Sequence, residues 1–66
     1  MQSSAIKSLE YQFVDGRPQL DIVFKSGGVY RYFDVPLSIF NQLVNAESHG
    51  KFFQKNIRGN YKFERM

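Results

Sequence analysis

Residues 9–33 read LEYQFVDGRPQLDIVFKSGGVYRYF, and this stretch decides the fold. Leu9, Tyr11 and Phe13 alternate with Glu10 and Gln12, the period of two that marks a half-buried strand. Asp15-Gly16-Arg17-Pro18 then brings turn chemistry, with Gly16 free to take positive φ and Pro18 unsuited to a central strand. Leu20, Ile22 and Phe24 alternate again and predict a second strand. Lys25-Ser26-Gly27-Gly28 is a second turn, because paired glycines suit the tight hairpin types. Val29-Tyr30-Arg31-Tyr32-Phe33 is rich in the β-branched and aromatic residues that fill a pleated surface, and predicts a third strand. Three alternating runs joined by short turns make an antiparallel meander.

Downstream the period changes. Asp34 or Val35 supplies an N-cap region, and Pro36 fits a first helical turn, where its missing N–H would be an orphan in any case. Leu37, Phe40 and Val44, flanked by Ile39 and Leu43, recur at helical spacing and predict an apolar stripe. Ser48 reads as the N-cap of a second helix over residues 50–57, with Phe53 and Ile57 on one face and Gly59 as its stop. Tyr61 and Phe63 alternate once more, a candidate short fourth strand. Strands first and helices afterwards predict an α+β fold: a three-stranded antiparallel meander, then two helices packed on one face of it. With 66 residues the chain is expected to form one domain, and without cysteine its stability rests on an apolar core to which eleven aromatic residues contribute. Tyr30 and Tyr32 share one face of the sheet, and Val29, Arg31 and Phe33 the other. A single helical layer covers only one of these.

Composition narrows the chemistry. No apolar run approaches the roughly 20 residues that a membrane-spanning helix needs. Met1-Gln2-Ser3-Ser4 shows no basic cluster leading into an apolar stretch, so no secretory signal and a cytoplasmic location are expected. The one histidine, His49, follows the predicted N-cap Ser48 and reads as a solvated helix-terminal residue. Neither a His pair nor a cysteine offers zinc-ligand spacing, and Gly27-Gly28 lacks the lysine and helix of a phosphate loop. No cofactor, metal or catalytic residue is expected, and the chain reads as a non-enzyme.

Charge is more telling. Residues 1–47 carry four Lys and Arg against five acids, whereas residues 48–66 carry Lys51, Lys55, Arg58, Lys62 and Arg65 against Glu64 alone. The net charge of +3 is thus a property of the last third. Lys51, Lys55 and Arg58 fall on one face of an ideal helix, and Phe52, Tyr61 and Phe63 lie among the cations. Such a strip suits single-stranded nucleic acid, with phosphates on the cations and bases on the rings. It also suits a solvated helix face whose phenylalanines are core. Tyr30 and Tyr32 have the same two readings, a platform for stacked bases or aromatic core beneath the helices.

Ser3-Ser4-x-Ile6, Gly28-x-Tyr30-x-Tyr32, Val35-Pro36 and Ala46-x-Ser48-x-Gly50-x-Phe52-Phe53 followed by Ile57-Arg58 together resemble the KTSC domain. That family is a small module found alone in bacterial and phage proteins and at the C-terminus of some lysyl-tRNA synthetases. The resemblance implies an RNA-related role, with Tyr30 and Tyr32 as its central Tyr-x-Tyr and Ser48, Gly50 and Arg58 in its helical motif. It carries over no catalytic residue. The expected function is a small binding module for RNA, tRNA or another nucleic acid, with Lys51, Lys55, Arg58 and Lys62 on phosphates and Tyr30 and Tyr32 as stacking rings. The alternative is a protein-interaction module or homodimer that uses the open sheet face or an edge strand.

Overall fold

Asp15 and Gly16 both adopt positive φ, 53° and 79°, as the two central residues of a type I′ turn must. They join β1 (Ile6–Val14) to β2 (Arg17–Phe24) by a two-residue hairpin with Val14 opposite Arg17. The computed structural model describes residues 5–66; Ser3 and Ser4, part of the family resemblance, lie outside the described residues. The turn after β2 closes through Gly27 N–H donating to the Phe24 carbonyl at 2.8 Å, with Gly27 at φ 102°. It leads to β3 (Val29–Phe33), and the short β4 (Phe63–Arg65) pairs with β3 at the far edge. The sheet order is β1-β2-β3-β4, antiparallel throughout: the three-strand meander forms, and after the helices the short fourth strand adds to its β3 edge, starting at Phe63 with Tyr61 just outside it.

Two strand details depart from the sequence reading. β1 starts at Ile6, because the register steps from Ile6 opposite Phe24 to Ser8 opposite Val23, leaving Lys7 as a bulge residue. The bulge returns Ile6 to the inner face, where it is buried. Pro18 lies inside β2 rather than ending it. Its carbonyl accepts from Asp34 N–H at 2.8 Å, so the edge of Pro18 that lacks a donor faces the end of β3, where the ladder has stopped at Phe33.

The chain turns from sheet to helix at Asp34, whose φ of 61° is rare outside glycine and is tolerated by aspartate better than by most residues. Arg17 grips its carboxylate with two hydrogen bonds, Nε at 3.1 Å and Nη2 at 2.6 Å, and these hold it below the usual carboxylate pKa. Asp34 is therefore engaged with Arg17, and Val35 is buried in the core; the N-cap of α1 (Leu37–Asn45) is Pro36, which makes no side-chain cap. Ser48 does cap the next helix, its hydroxyl accepting from Lys51 N–H at 3.2 Å. That helix, α2 (His49–Phe52), widens without a break into a single π turn over Phe53–Ile57, and Gly59 at φ 85° follows it as the expected stop.

Both helical segments lie on the same face of the sheet, giving the α+β arrangement. Leu20, Ile22, Tyr32, Val35, Leu43, Phe53 and Ile57 form the core with Ile6. α1 covers the β1–β2 half: the Tyr11 ring stacks on Phe40 at 4.6 Å, and its hydroxyl donates to the Val35 carbonyl at 2.7 Å. The stripe of α1 is rotated from the one expected. Ile39, Phe40 and Leu43 point inward, whereas Leu37 and Val44 are about half exposed. Alanine substitution reads this rotation: Leu43→Ala should cost about 2–5 kcal/mol, and Val44→Ala should stay within about 0.5 kcal/mol, by urea unfolding. Equal losses would contradict the orientation.

Candidate nucleic-acid interface

The second helical segment sets the site. An α-helix that buries Phe53 and Ile57 four residues apart would continue as a regular turn. Here the Arg58 N–H instead reaches back five residues to the Phe53 carbonyl at 2.9 Å, the signature of a π turn, which recurs at functional positions. Arg58 then leaves the helix with extended backbone, φ −61° and ψ 125°. Phe53 packs edge-on against Phe24 at 5.5 Å and against Tyr32 at 5.4 Å, which places the segment over β2 and β3. β4 receives no such cover.

The uncovered region is a cleft of about 370 Å³. Tyr30, Tyr32 and Phe24 come from the sheet, Phe63 from β4, and Phe53, Gln54 and Arg58 from the π turn and its end; Ala5, Ser26 and Gly50 complete it. Its rings are ordered among themselves. Phe63 stacks on Tyr32 at 5.2 Å with planes 26° apart and lies tilted by 40° against Tyr30 at 5.7 Å. Tyr30 also leans back over Gly28, where an added Cβ would stand 3.2 Å from its Cε1. Arg65 places its guanidinium carbon 5.9 Å from the Tyr30 centroid, within cation–π reach. Phe63 remains 52% exposed, the most open ring of this group, and Tyr32 is 3% exposed. Tyr32 therefore supports the site as core, and the ring available to a ligand is Phe63.

The cations named from the sequence take different places. Arg58 lines the cleft beside Tyr32 and Tyr30, so these three are brought together. Lys51 and Lys55 stand exposed on α2 and the π turn, outside the lining. The α-helical spacing expected to align them with Arg58 is interrupted by the π turn. Lys62 is exposed just before β4, where its charge acts on Asp34. Among the described residues the ion pairs are Arg17–Asp34 and Arg31–Asp21, so none of the five cations in residues 48–66 is neutralised by a contacting acid.

The opposite face has another character. Glu10, Asp21, Arg31 and Glu64 follow one another across the four strands, and Arg31 binds Asp21 through Nε at 3.0 Å and Nη2 at 3.2 Å. Three acids around one paired arginine repel an anion. The electropositive cleft and the acidic row thus sit on opposite sides of one sheet, because residues alternate between its faces. Gln54 was not named from the sequence, and Phe63 and Arg65 were named only as members of the basic, ring-bearing strip and not as site residues. The register that sets Phe63 opposite Tyr32 and Arg65 opposite Tyr30 is what recruits the two β4 residues.

The chain belongs to the KTSC domain family, whose family model matches residues 2–61. It is 42% identical over 57 residues to a lysine–tRNA ligase of Trichormus variabilis, covering 86% of this chain and 10% of that protein. To a lysine–tRNA ligase of Nostoc punctiforme it is 43% identical over 65 residues, 98% of this chain and 11% of the ligase. An uncharacterized protein of Stutzerimonas stutzeri is 39% identical over 56 residues, 83% of this chain and 75% of that protein. The chain thus spans about a tenth of the length of the ligases it matches. Among the described residues no helix is long and apolar enough to cross a membrane.

Burial pushes the Tyr32 phenol above the ordinary tyrosine pKa, and the nearby Arg58 charge pulls it part of the way back. A raised folded-state pKa means that the contribution of Tyr32 to stability is complete below about pH 10 and is lost as pH climbs through the raised value. Replacing Arg58 by glutamine should therefore delay Tyr32 ionisation further in an ultraviolet absorbance titration, with Tyr32→Phe identifying its share of the signal. An unchanged titration would show that Arg58 does not face the cleft.

Proposed function

We propose that this chain is a non-catalytic nucleic-acid-binding module, acting on RNA in the cytoplasm, that holds phosphates with Arg58, Lys51, Lys55 and Lys62. The observation that carries the proposal is Arg58 at the rim of an aromatic cleft, where neither it nor the other cations of the last third of the chain has a contacting acid among the described residues. Uncompensated cations beside aromatic rings are what single strands require, since phosphate contacts supply affinity and rings take bases. Opposite polarity of the two sheet faces orients the complex with the helical side toward the ligand. The lysine–tRNA ligases that carry a similar segment make tRNA a natural partner to test first. His49 fits a structural part here: its ring Nε2 lies 3.2 Å from the Val44 carbonyl, at the end of α1.

A second reading has its own observation. β1 forms one edge of the sheet, and Phe13 at its end is 62% exposed, so this edge could pair with another protein or a second copy. The Lys7 bulge and the polar Ser8, Glu10 and Gln12 blunt that edge, and on the open face the acidic row interrupts the partly exposed Val14, Val23, Val29 and Phe33. A strict monomer by light scattering across concentration counts against self-association.

Four phosphate contacts on a single strand predict that log K falls with log salt at a slope near −3, and loss of two contacts should bring it to about −1.5. Fluorescence anisotropy with labelled single-stranded RNA tests both, with Lys51→Gln plus Lys55→Gln as the variant. Absence of binding at low salt, or a slope that the double substitution leaves unchanged, rejects these assignments.

A further inference from the structure

We infer that the cleft between the π turn and β4 receives the base of one unpaired nucleotide within a nucleic-acid strand, stacked on Phe63 with its phosphate against Arg58. The inference rests on the nucleic-acid reading above and adds to it the unit that the cleft recognises. Size is the first argument. At about 370 Å³ the cleft lies at the small end of ligand sites, which run from about 300 to 1,000 Å³. It suits one planar group and its attached phosphate, not a length of strand.

The second argument is the state of the rings. One side of Phe63 rests on Tyr32, yet half of the residue stays in water, an arrangement that leaves apolar surface uncovered in a chain of this size. Tyr30 is already occupied by Phe24 edge-on at 5.4 Å and by the Arg65 guanidinium. A base entering the cleft therefore meets Phe63, and every base offers the face that such a ring accepts.

Charge and hydrogen-bonding groups supply the third argument. Arg58 reaches the same cleft without a contacting acid among the described residues, and Arg65 stands at the β4 side. Its guanidinium fork matches phosphate oxygens. Gln54 and Ser26 put an amide and a hydroxyl on the walls, groups able to meet a base edge with donors or acceptors. Inside a duplex the faces of a base are stacked and its Watson–Crick edge is paired, so the site selects unpaired nucleotides.

Three labelled probes of equal length, about eight nucleotides, separate this inference from the phosphate reading: a single-stranded RNA, a fully abasic strand and a blunt RNA duplex. The full chain should bind the base-bearing single strand about tenfold or more tightly than either of the others, the gain expected from stacking one base on an aromatic ring. Phe63→Ala should abolish that preference while leaving weak, salt-sensitive binding of the abasic strand. Gln54→Trp, at an exposed position, should do the same by filling the cleft without altering charge. Equal affinity for all three probes, or a preference that survives both substitutions, overturns the cleft inference and leaves the phosphate contacts standing. No binding to any probe removes both. Displacement of the labelled strand by free uridine or adenosine monophosphate at equal concentration would assign the cleft to a free nucleotide, again against the inference. The comparison of probes on the unsubstituted chain decides the matter even where a variant fails to fold.

Discussion

The edge-on packing of Phe53 against Phe24 and Tyr32 holds the helical layer to the sheet, and much else in the molecule follows from it. Aromatic pairs in this geometry contribute about 0.5–1.5 kcal/mol each beyond their buried area, a large share for a small domain without disulfides. Ile57 must be buried in the same segment, and the turn widens to a π turn between them. The segment ends at Gly59, after little more than two turns. It packs on β2 and β3 through Phe53, and the residues of β4 stay exposed. The gap in the helical layer and the cleft are thus one feature with one cause.

Electrostatics give that feature a direction. The sheet sorts its charges by strand parity: Glu10, Asp21 and Glu64 take the open face with Arg31, while Arg65 falls on the face shared with Tyr30 and Arg58 reaches it from the helix. Exposed ion pairs such as Arg17–Asp34 contribute little to stability by themselves. Here the pair has a geometric part, fixing the left-handed residue that turns the chain from β3 into α1. Among the acids, Asp34 is engaged by Arg17, and Glu10, Asp21 and Glu64 stand on the other face.

Much of this was legible in the residues. Asp15-Gly16-Arg17-Pro18 announced a turn through Gly16's tolerance of positive φ, Leu20 and Ile22 declared their face by alternation, and Ser48 and Gly59 bracketed the second helix. Ile6 was hidden because the Lys7 bulge breaks the period of two that reveals strands. Leu37 and Val44 misled because a nine-residue helix offers two adjacent apolar stripes, and only docking of Leu43 chooses between them. Strand parity tied Tyr30 to Tyr32 but could not say which face the helices cover. The cleft was invisible for a related reason. Its walls come from five separate segments, and Phe63 joins it, with Arg65 beside it over Tyr30, only through the register of a three-residue strand.

Backbone amide chemical-shift mapping, with single-stranded RNA titrated into the full chain, tests the central claim most directly. The account predicts that the largest shifts gather around Ser26, Tyr30, Gln54, Arg58 and Phe63, with Glu10, Gln12 and Arg31 on the opposite face nearly still. Shifts centred on that opposite face, or along the outer edge of β1, would contradict it.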